Sequence, residues 1–528
     1  MANGNTKLGS GSWSDTLHAN PGLVALIFGA IGTIGFLGII EIGSFVEDHT
    51  HSHHSIQDEI FIALLVVGAA SLAYGIYMVR QIWPATLEMV RSLRWYHWMW
   101  FIILISGQVF RKRMASEGLN APVDSAAAFR IVLVGFVGLY LLCLLFLRKV
   151  QWLPSAFTGI VGGLMVFDLV ALTSSLWSVY WLWTFYKAVE YGVDVCLLGA
   201  SIYMCRTSKD WKRFADWNWI LFGILLLNVW FGCVWDPSDA LNKGGAYGVE
   251  GIGGLGYWLY GVFPDISSNQ IGEYAACITA VALCRLLPIN RKRENLSFYV
   301  FVFLAGFATI IFAQTRSALG GFCIALFFIF LMSNRVLHGA AIVITGFIGV
   351  ISSSFGNIVW DYIKRGQSQS QLDTLSSRVE WWQAALEKFT NYSLTGMGMW
   401  AAARFGVLAQ IGRPQTATIH SDWVEIIVGT GIWGVIPVLS VLLFTWYYLL
   451  RYTVTSKLDL YDRQLAYEGL GVLGVITMRM FFMTDLSLHP PLHVFTALGA
   501  AEFLRRKLKH PERYQETEPE TLSVAAGA

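Results

Sequence analysis

The sequence is poor in charged residues. Aspartate, glutamate, lysine and arginine make up 14% of its 528 residues, whereas a soluble domain carries about 25%. Hydrophobic residues make up 55% of the chain, and apolar runs of about 20 residues, long enough to span a bilayer, recur along it. The net charge of +2 gives no indication of nucleic-acid binding. We therefore predict an all-α polytopic membrane protein.

The chain also has few cysteines and lacks a signal-peptide pattern. Its seven cysteines form no CxxC pair and lie in or beside apolar segments. This pattern indicates small apolar side chains rather than metal ligands or disulfides. The N-terminal sequence MANGNTKLGSGSWSD lacks the compact basic and apolar layout of a signal peptide. We expect the first apolar run to be retained as a helix.

Apolar runs between charged residues predict about 12–14 transmembrane helices. The third run is short, and it begins within RWYHWMWF, a sequence typical of a membrane interface, so it could be an interfacial helix. The runs are 23–45, 59–79, 95–110, 129–147, 155–173, 178–204, 217–235, 272–288, 298–314, 318–334, 339–357, 424–450, 466–483 and 490–504.

Lysine and arginine in short loops indicate the cytoplasmic side of a membrane protein. Alternating the predicted spans places four basic loops together on that side, while RKR at 111–113 is an exception. The turn QTRSA then faces the extracytoplasmic side. The four basic loops are CRTSKDWKR (205–213), INRKRE (289–294), RYTVTSK (451–457) and RRKLK (505–509).

This topology divides the chain into six parts. The predicted parts are transmembrane helices in 1–235, a re-entrant-like outer loop in 236–271, transmembrane helices in 272–357, a large extracytoplasmic loop in 358–423, transmembrane helices in 424–505 and a disordered cytoplasmic tail in 506–528.

Arg316 lies in the middle of the apolar stretch FATIIFAQTRSALGGFCIALFF. It is the only charged residue between Glu294 and Arg335. A charge at bilayer depth costs at least roughly 2.5–3.5 kcal/mol on insertion scales. Two interpretations follow: Arg316 anchors the chain at lipid headgroups, or it belongs to a functional site that holds an anion.

The sequence LSSRVEWWQAALEKF predicts a helix in the outer loop. Ser377 is a candidate N-cap, and Glu380 follows three residues later, as in a capping box. Arg378 then takes the first helical position, where a cation opposes the helix dipole. An anion bound at that end would stabilise it, and the alternative is a solvated surface arginine.

His420 lies directly before a predicted span, in IHSDWVEIIVGTG. Ser421 or Asp422 is the expected helix cap. The dipole at a helix start disfavours protonation of the imidazole, and a neutral imidazole can accept a proton from a hydroxyl. Asp422 and Glu425 could orient His420 or only cap the helix. The alternative is a structural histidine.

Three further segments resemble binding sites less strongly. EDHTHSHH (47–54) is rich in histidine, but its spacing matches no defined metal site. DPSD (236–239) could hold a divalent ion, although it is equally typical of a turn. We predict no metal at either. The glycine-rich and aromatic-rich stretch 244–276 could form a re-entrant surface on which sugars or an isoprenoid pack.

Taken in order, these motifs resemble the O-antigen ligase and polymerase superfamily. The motifs are AQTRSALGG, then SSRVEWWQAALEKFTNYSLTGMGMWAAARF, then IHSDWVEIIVGTGIWG, with GVFPDISSNQIGEYAA upstream. The resemblance covers about 260–450. It implies a fold similar to GT-C glycosyltransferases, and inverting transfer of a glycan from undecaprenyl pyrophosphate to an acceptor hydroxyl, without a metal or another cofactor.

The resemblance also implies site residues. Arg316 and Arg378 match the two essential outer arginines of the superfamily, and His420 matches its essential histidine. Two departures concern the acceptor: Gly429 stands where glutamate is frequent, and Ser421 and Asp422 stand where His-Asn is frequent. The candidate substrate-binding residues are Arg365, Arg404, Arg413, Asp422 and Asn269.

The leading hypothesis is a ligase of lipopolysaccharide biosynthesis in the bacterial inner membrane. Its partners would be membrane lipid, an undecaprenyl-pyrophosphate-linked donor and a lipid A-core or glycan acceptor. A polymerase that extends an O-antigen or exopolysaccharide repeat is the close alternative, because only the acceptor differs. A transporter with Arg316 and His420 along an anion path is the alternative from another class.

Overall fold

The structure is a computed structural model. It describes residues 86–108, 114–120, 123–243, 257–287, 296–333, 335–341, 378–414, 416, 418–487 and 489–514. The protein is an all-α polytopic membrane protein. Within the described ranges, five helical segments are long and apolar enough to cross a bilayer. The predicted spans 23–45 and 59–79, and most of 339–357, lie outside the described residues.

The described helices follow the predicted runs closely. They are α1 (Trp95–Gln108), α2 (Ala115–Asn120), α3 (Ser125–Phe146), α4 (Leu153–Ala156), α5 (Gly159–Thr173), α6 (Trp181–Met204), α7 (Ser208–Trp235), α8 (Pro237–Ala240), α9 (Ser268–Leu286), α10 (Leu296–Ala313), α11 (Arg316–Met332), α12 (Arg378–Phe389), α13 (Asp422–Val454), α14 (Leu460–Arg479) and α15 (Leu492–Lys509). Short 3-10 turns occur at Ser174–Trp177 and Pro511–Tyr514, and a π-helix at Ala402–Leu408.

Two short strands interrupt the helical pattern in the predicted outer loop. β1 (Leu241–Lys243) pairs antiparallel with β2 (Tyr257–Leu259), with Leu241 opposite Leu259.

Two ion-pair clusters distinguish the two ends of the helix bundle. At the end of α9, Arg285 pairs with Asp216 in the first turns of α7 (2.6 Å) and with Glu468 in α14 (2.8 Å). We call this the basic end. At the other end of the same helices, Arg479 of α14 pairs with Glu273 of α9 at 3.0 Å. We call this the site end. The chain therefore alternates through α7, α9 and α14 as the sequence predicts.

The short helix α1 belongs to the core of the bundle. Arg94, just before it, pairs with Asp210 at the basic end (3.1 Å), and Ser106 near its other end lies 2.7 Å from the ring of His489. Trp100 between them is fully buried and donates to Ser201. Its burial makes α1 a packed core helix rather than an interfacial one.

Helix α7 begins nine residues earlier than its apolar run indicates. Thr207 accepts a hydrogen bond from the Asp210 N–H, and the Asp210 side chain accepts from the Thr207 N–H. This reciprocal capping box starts the helix in a charged segment, which a hydropathy pattern alone assigns to a loop.

Helix α13 is broken at Gly431, where residues 393–398 pack into it. We call these residues the outer segment, after the outer loop predicted from the sequence. Gly431 has φ +62°, and a Cβ there would lie 2.4 Å from the Leu394 backbone. The carbonyls freed by the break accept hydrogen bonds from the outer segment, Val428 from Met397 and Gly429 from Gly398. The break therefore fastens the outer segment to the first turns of α13, close to His420.

Candidate functional site

Arg316 is the first residue of α11 and is half-buried at the site end. Gln314 has φ +50°, a left-handed backbone that lets the chain reverse between α10 and α11. Thr315 donates to the Ser268 carbonyl at 2.9 Å, which docks the turn on the start of α9. A Cβ at Gly272 would lie 2.7 Å from Thr315, so this approach requires glycine. The turn is thus held in one position.

A buried charge network lies beside this turn. Arg479 is fully buried; its Nη1 donates to Ser317 Oγ at 2.7 Å, while Nε and Nη2 donate to Glu273 Oε2. Asp485 lies 3.6 Å from the same guanidinium. Because Ser317 follows Arg316, the network fixes the helix turn that carries Arg316. The sequence analysis missed Arg479 and Glu273, although each is a charge in an apolar run, the pattern that indicates a functional position.

Arg378 begins α12, the first helical position that the sequence predicts for it. Its Nη1 donates to the Phe482 carbonyl at 3.1 Å, in the turn that follows α14. Trp382, one turn along, donates to the Ile419 carbonyl at 3.1 Å. Leu386 of the same helix is 45% exposed, so α12 is only partly covered by the rest of the protein. These contacts place Arg378 beside the residues that precede α13.

His420 lies between α12 and the turn after α14. Its Nδ1 is 3.3 Å from Met483 Sδ, and its ring stacks on Trp381 with centroids 6.0 Å apart. Its backbone is left-handed, with φ +54°, which is uncommon outside glycine. Burial, followed by the charges of Arg378 and Arg479, lowers the pKa of His420 to about 3. The imidazole is therefore neutral near pH 7, as the sequence analysis predicts.

The contact with Met483 favours one tautomer of His420. A thioether sulfur is a weak hydrogen-bond acceptor and cannot donate. The 3.3 Å contact is therefore best satisfied when Nδ1 carries the proton. Nε2 is then the nitrogen with a free lone pair, and it can accept a proton from a hydroxyl.

Asp422 organises the loop that follows α14. It is fully buried, and its carboxylate accepts the N–H groups of Asp485, Leu486 and Ser487, together with the Ser487 hydroxyl. Ser421, not Asp422, is the N-cap of α13, since its hydroxyl accepts from the Val424 N–H. Asp422 therefore holds the loop 485–487 in place.

One segment, 479–487, connects all of these side chains. Its first residue, Arg479, holds Ser317 next to Arg316. Farther along, Phe482 accepts from Arg378, and Met483 contacts His420. The structure therefore brings Arg378 and His420 onto adjacent residues of one turn, with the start of α11 attached to the same segment.

Asn269 lies near the start of α9 at the site end. It is half-buried and precedes Glu273 by four residues, which places both on one face of the helix. The preceding residue, Ser268, accepts from Thr315 of the Arg316 turn. Asn269 therefore follows directly on the residue where the Arg316 turn docks, and its substrate-binding role stays a prediction.

The structure describes two of the three predicted substrate-binding arginines, Arg404 and Arg413. Arg404 is buried in the π-helix, with its guanidinium 5.0 Å from the Trp183 ring centre and 5.4 Å from that of Phe405. Arg413 is exposed after the π-helix. Arg365 and Ser377 lie outside the described residues. The structure thus places Arg404 against Trp183 of α6.

The segment DPSD forms a capped turn. Asp236 Oδ1 accepts from the Ser238 hydroxyl at 2.6 Å and from the Asp239 N–H at 3.3 Å. EDHTHSHH lies outside the described residues. Within the described ranges, no group of three His, Cys, Asp or Glu side chains is arranged to hold a metal ion. All seven cysteines are free thiols.

Residues 301–439 match the family model described as O-antigen ligase. This part of the chain is similar to the O-antigen ligase family. The matched segment begins in α10, ends in α13 and contains Arg316, Arg378 and His420. The resemblance inferred from the motifs is therefore confirmed. A search of curated proteins finds no match to the chain.

Proposed function

We propose that this O-antigen ligase family protein is an inverting, metal-independent glycosyltransferase of the bacterial inner membrane. It moves a glycan from undecaprenyl pyrophosphate to an acceptor hydroxyl at the site end, which faces the extracytoplasmic side. The observation that carries the proposal is the placement of Arg378 and His420 on adjacent residues, Phe482 and Met483. A cation for an anionic leaving group thus lies beside a neutral base.

Arg316 and Arg378 hold the diphosphate of the donor. A guanidinium binds a phosphate through two parallel hydrogen bonds, which a lysine cannot do. Both arginines are first residues of helices, α11 and α12, and the positive end of a helix dipole also favours an anion. Each arginine opposes the dipole of its own helix, and a bound diphosphate relieves that repulsion.

In the transfer step, the acceptor oxygen attacks the anomeric carbon from the side opposite the diphosphate. The bond from this carbon to the diphosphate oxygen breaks, and its electron pair leaves with the undecaprenyl pyrophosphate. The acceptor proton passes to His420 Nε2. Arg316 and Arg378 stabilise the charge that develops on the leaving oxygen. A single displacement of this kind inverts the anomeric centre.

Donor binding strengthens the base. The charge of Arg378 contributes to the low pKa of His420, after burial. A diphosphate on Arg378 cancels much of that charge, so the pKa of His420 rises when the donor is present. A base is most effective when its pKa is near the working pH. His420 is therefore a better proton acceptor in the donor complex than in the free protein.

The glycan profile of a deletion strain tests this function and distinguishes its two versions. Loss of all glycan on lipid A-core indicates a ligase, which is the result we expect. Single-repeat capping indicates a polymerase with the same chemistry. Complementation with a His420→Ala variant at matched expression should fail to restore the profile. Unchanged glycans in the deletion strain would contradict the proposal.

A further inference from the structure

A cavity of about 540 Å³ opens on the lipid-facing side of the bundle, between α5 and α13. Its wall is almost entirely apolar. Val166 of α5 and Trp433 and Phe444 of α13 line it and are 51%, 57% and 56% exposed. In a membrane these side chains contact lipid chains rather than water. The cavity is therefore a groove that the hydrocarbon core of the bilayer fills.

The groove has the length of one lipid leaflet. Along α5 it extends from Gly159 to Val170, which is about 16 Å at 1.5 Å per residue. One leaflet accounts for about half of the ~30 Å hydrocarbon core. A single acyl chain from one leaflet therefore matches the groove, with its headgroup at one end.

One end of the groove carries positive charge. Arg505 and Tyr448 line it there, at the end of α15 where the basic loops lie. Glu502 is fully buried and pairs with both Arg505 (2.7 Å) and Arg506 (2.6 Å). Two cations thus share one carboxylate, which leaves a surplus positive charge. The Ile160 N–H at the start of α5 also donates to Glu502 at 3.0 Å, so the same carboxylate faces the positive end of this helix dipole as well.

We propose that this groove binds an anionic glycerophospholipid from the leaflet at the basic end. Its phosphate lies on Arg505 and the Tyr448 hydroxyl, and one acyl chain lies between α5 and α13. Basic pockets between transmembrane helices favour anionic headgroups. The site is at the end of the bundle opposite His420, so its occupant is distinct from the lipid-linked glycan donor.

Native mass spectrometry of the full-length protein in detergent tests the proposal. Phosphatidylglycerol and phosphatidylcholine with identical acyl chains are titrated as probes. We expect phosphatidylglycerol to bind about fivefold more tightly, since one basic side chain near an anionic lipid contributes about that factor. Arg505→Gln should abolish the preference. Arg451→Gln is the matched control, because Arg451 is an exposed arginine of α13 at the same end that contacts Tyr447.

A second variant tests the acyl-chain part of the site. Ser440 lines the groove and is half-buried, so Ser440→Phe adds bulk inside the groove. We expect this variant to bind both lipids more weakly than the wild-type protein. Equal affinity of the wild-type protein for the two lipids, or an unchanged preference in Arg505→Gln, would overturn the proposal. So would displacement of phosphatidylglycerol by inorganic phosphate at equal concentration, since the ligand would then be a free anion.

Discussion

The buried guanidinium of Arg479 donates a 2.7 Å hydrogen bond to the hydroxyl of Ser317, the residue after Arg316. This contact joins the end of α14 to the start of α11. Glu273 holds the other side of the same guanidinium. The orientation of Arg316 therefore depends on a charge pair that touches neither substrate in the proposed reaction.

Ser317→Ala should lower the transfer rate by about tenfold while lowering the melting temperature less than Arg479→Gln does. The hydroxyl contributes a hydrogen bond to a charged group, which is worth about 1.5–3 kcal/mol, and its loss frees the Arg316 turn. Initial rates and thermal unfolding are measured in parallel, with Arg451→Gln as control. A wild-type rate in Ser317→Ala would show that Arg479 has only a structural role.

Arg479→Gln should behave differently, by destabilising the protein. Removing one member of a buried ion pair costs about 3–5 kcal/mol, because the other charge is left buried without its partner. Glu273 is that partner here. We expect a clear fall in melting temperature in the detergent-purified protein. An unchanged melting temperature would contradict the burial of this pair.

The sequence predicts most of the helices because apolar runs of bilayer length determine them. It predicts less well where polar contacts decide the structure. The Thr207–Asp210 capping box extends α7 into a charged segment. Gly429 stands where the superfamily often has glutamate, and here a Cβ would lie 2.8 Å from Met399. That packing becomes visible only once the outer segment is placed against α13.

The candidate site was predictable in part. Arg316, Arg378 and His420 stand out because of their positions beside apolar runs and helix starts. Arg479 stands out only as a charge in an apolar run. Its partners Glu273 and Ser317 are distant in sequence, so the pairing itself exists only in the fold. Side chains joined through tertiary contacts leave no spacing pattern in the sequence.

The pH dependence of the rate should reflect the low pKa of His420. In the free protein this pKa is about 3, so kcat/KM for the donor should show no acid limb from His420 between pH 5 and 7. Arg378→Gln removes one of the positive charges that lower the pKa of His420, so it should shift the acid limb of the pH–rate profile to higher pH. An acid limb near pH 6.5 in the wild-type protein would contradict the burial of His420.

The same group should make stability depend on pH. The pKa of His420 is lowered from 6.5 to about 3 on folding, so the unfolded chain binds more protons between these values. The neutral imidazole makes its full contribution to the free energy of unfolding above about pH 6.5, and this contribution decreases as the pH falls. The difference in free energy of unfolding between the wild-type protein and His420→Gln should therefore shrink from pH 7 to pH 4. A constant difference would contradict the assignment.

Accessibility labelling tests whether Arg316, Arg378 and His420 lie on the same side of the membrane. Arg316→Cys, Arg378→Cys and His420→Cys should react with a membrane-impermeant thiol reagent in intact spheroplasts, after the native cysteines are replaced. Lys457→Cys, in the loop between α13 and α14, is the control at the basic end and should be protected. Protection of Arg316→Cys together with labelling of Arg378→Cys would place them on opposite sides.

Chelation should leave the transfer rate unchanged. In the proposed reaction two guanidiniums stabilise the diphosphate, a task that a divalent metal performs in other transferases. Purified protein with a lipid-linked donor is assayed in excess EDTA, and then with added magnesium or manganese. Loss of activity on chelation with rescue by a metal would remove the role assigned to Arg316 and Arg378.

The most direct test of the central claim compares lysine and alanine at the two arginines. Initial rates of glycan transfer are measured for Arg378→Lys, Arg378→Ala and the same changes at Arg316, with folding checked by monodispersity in detergent. Lysine keeps the positive charge but lacks the planar guanidinium that forms two parallel hydrogen bonds. Loss of one preorganised donor to a developing oxyanion lowers the rate of other enzymes by about 100- to 1,000-fold. We predict that the lysine variants are nearly as impaired as the alanine variants. Near wild-type rates with lysine would contradict the account. They would indicate that the arginines anchor the chain at lipid headgroups, which needs only a positive charge on a long side chain.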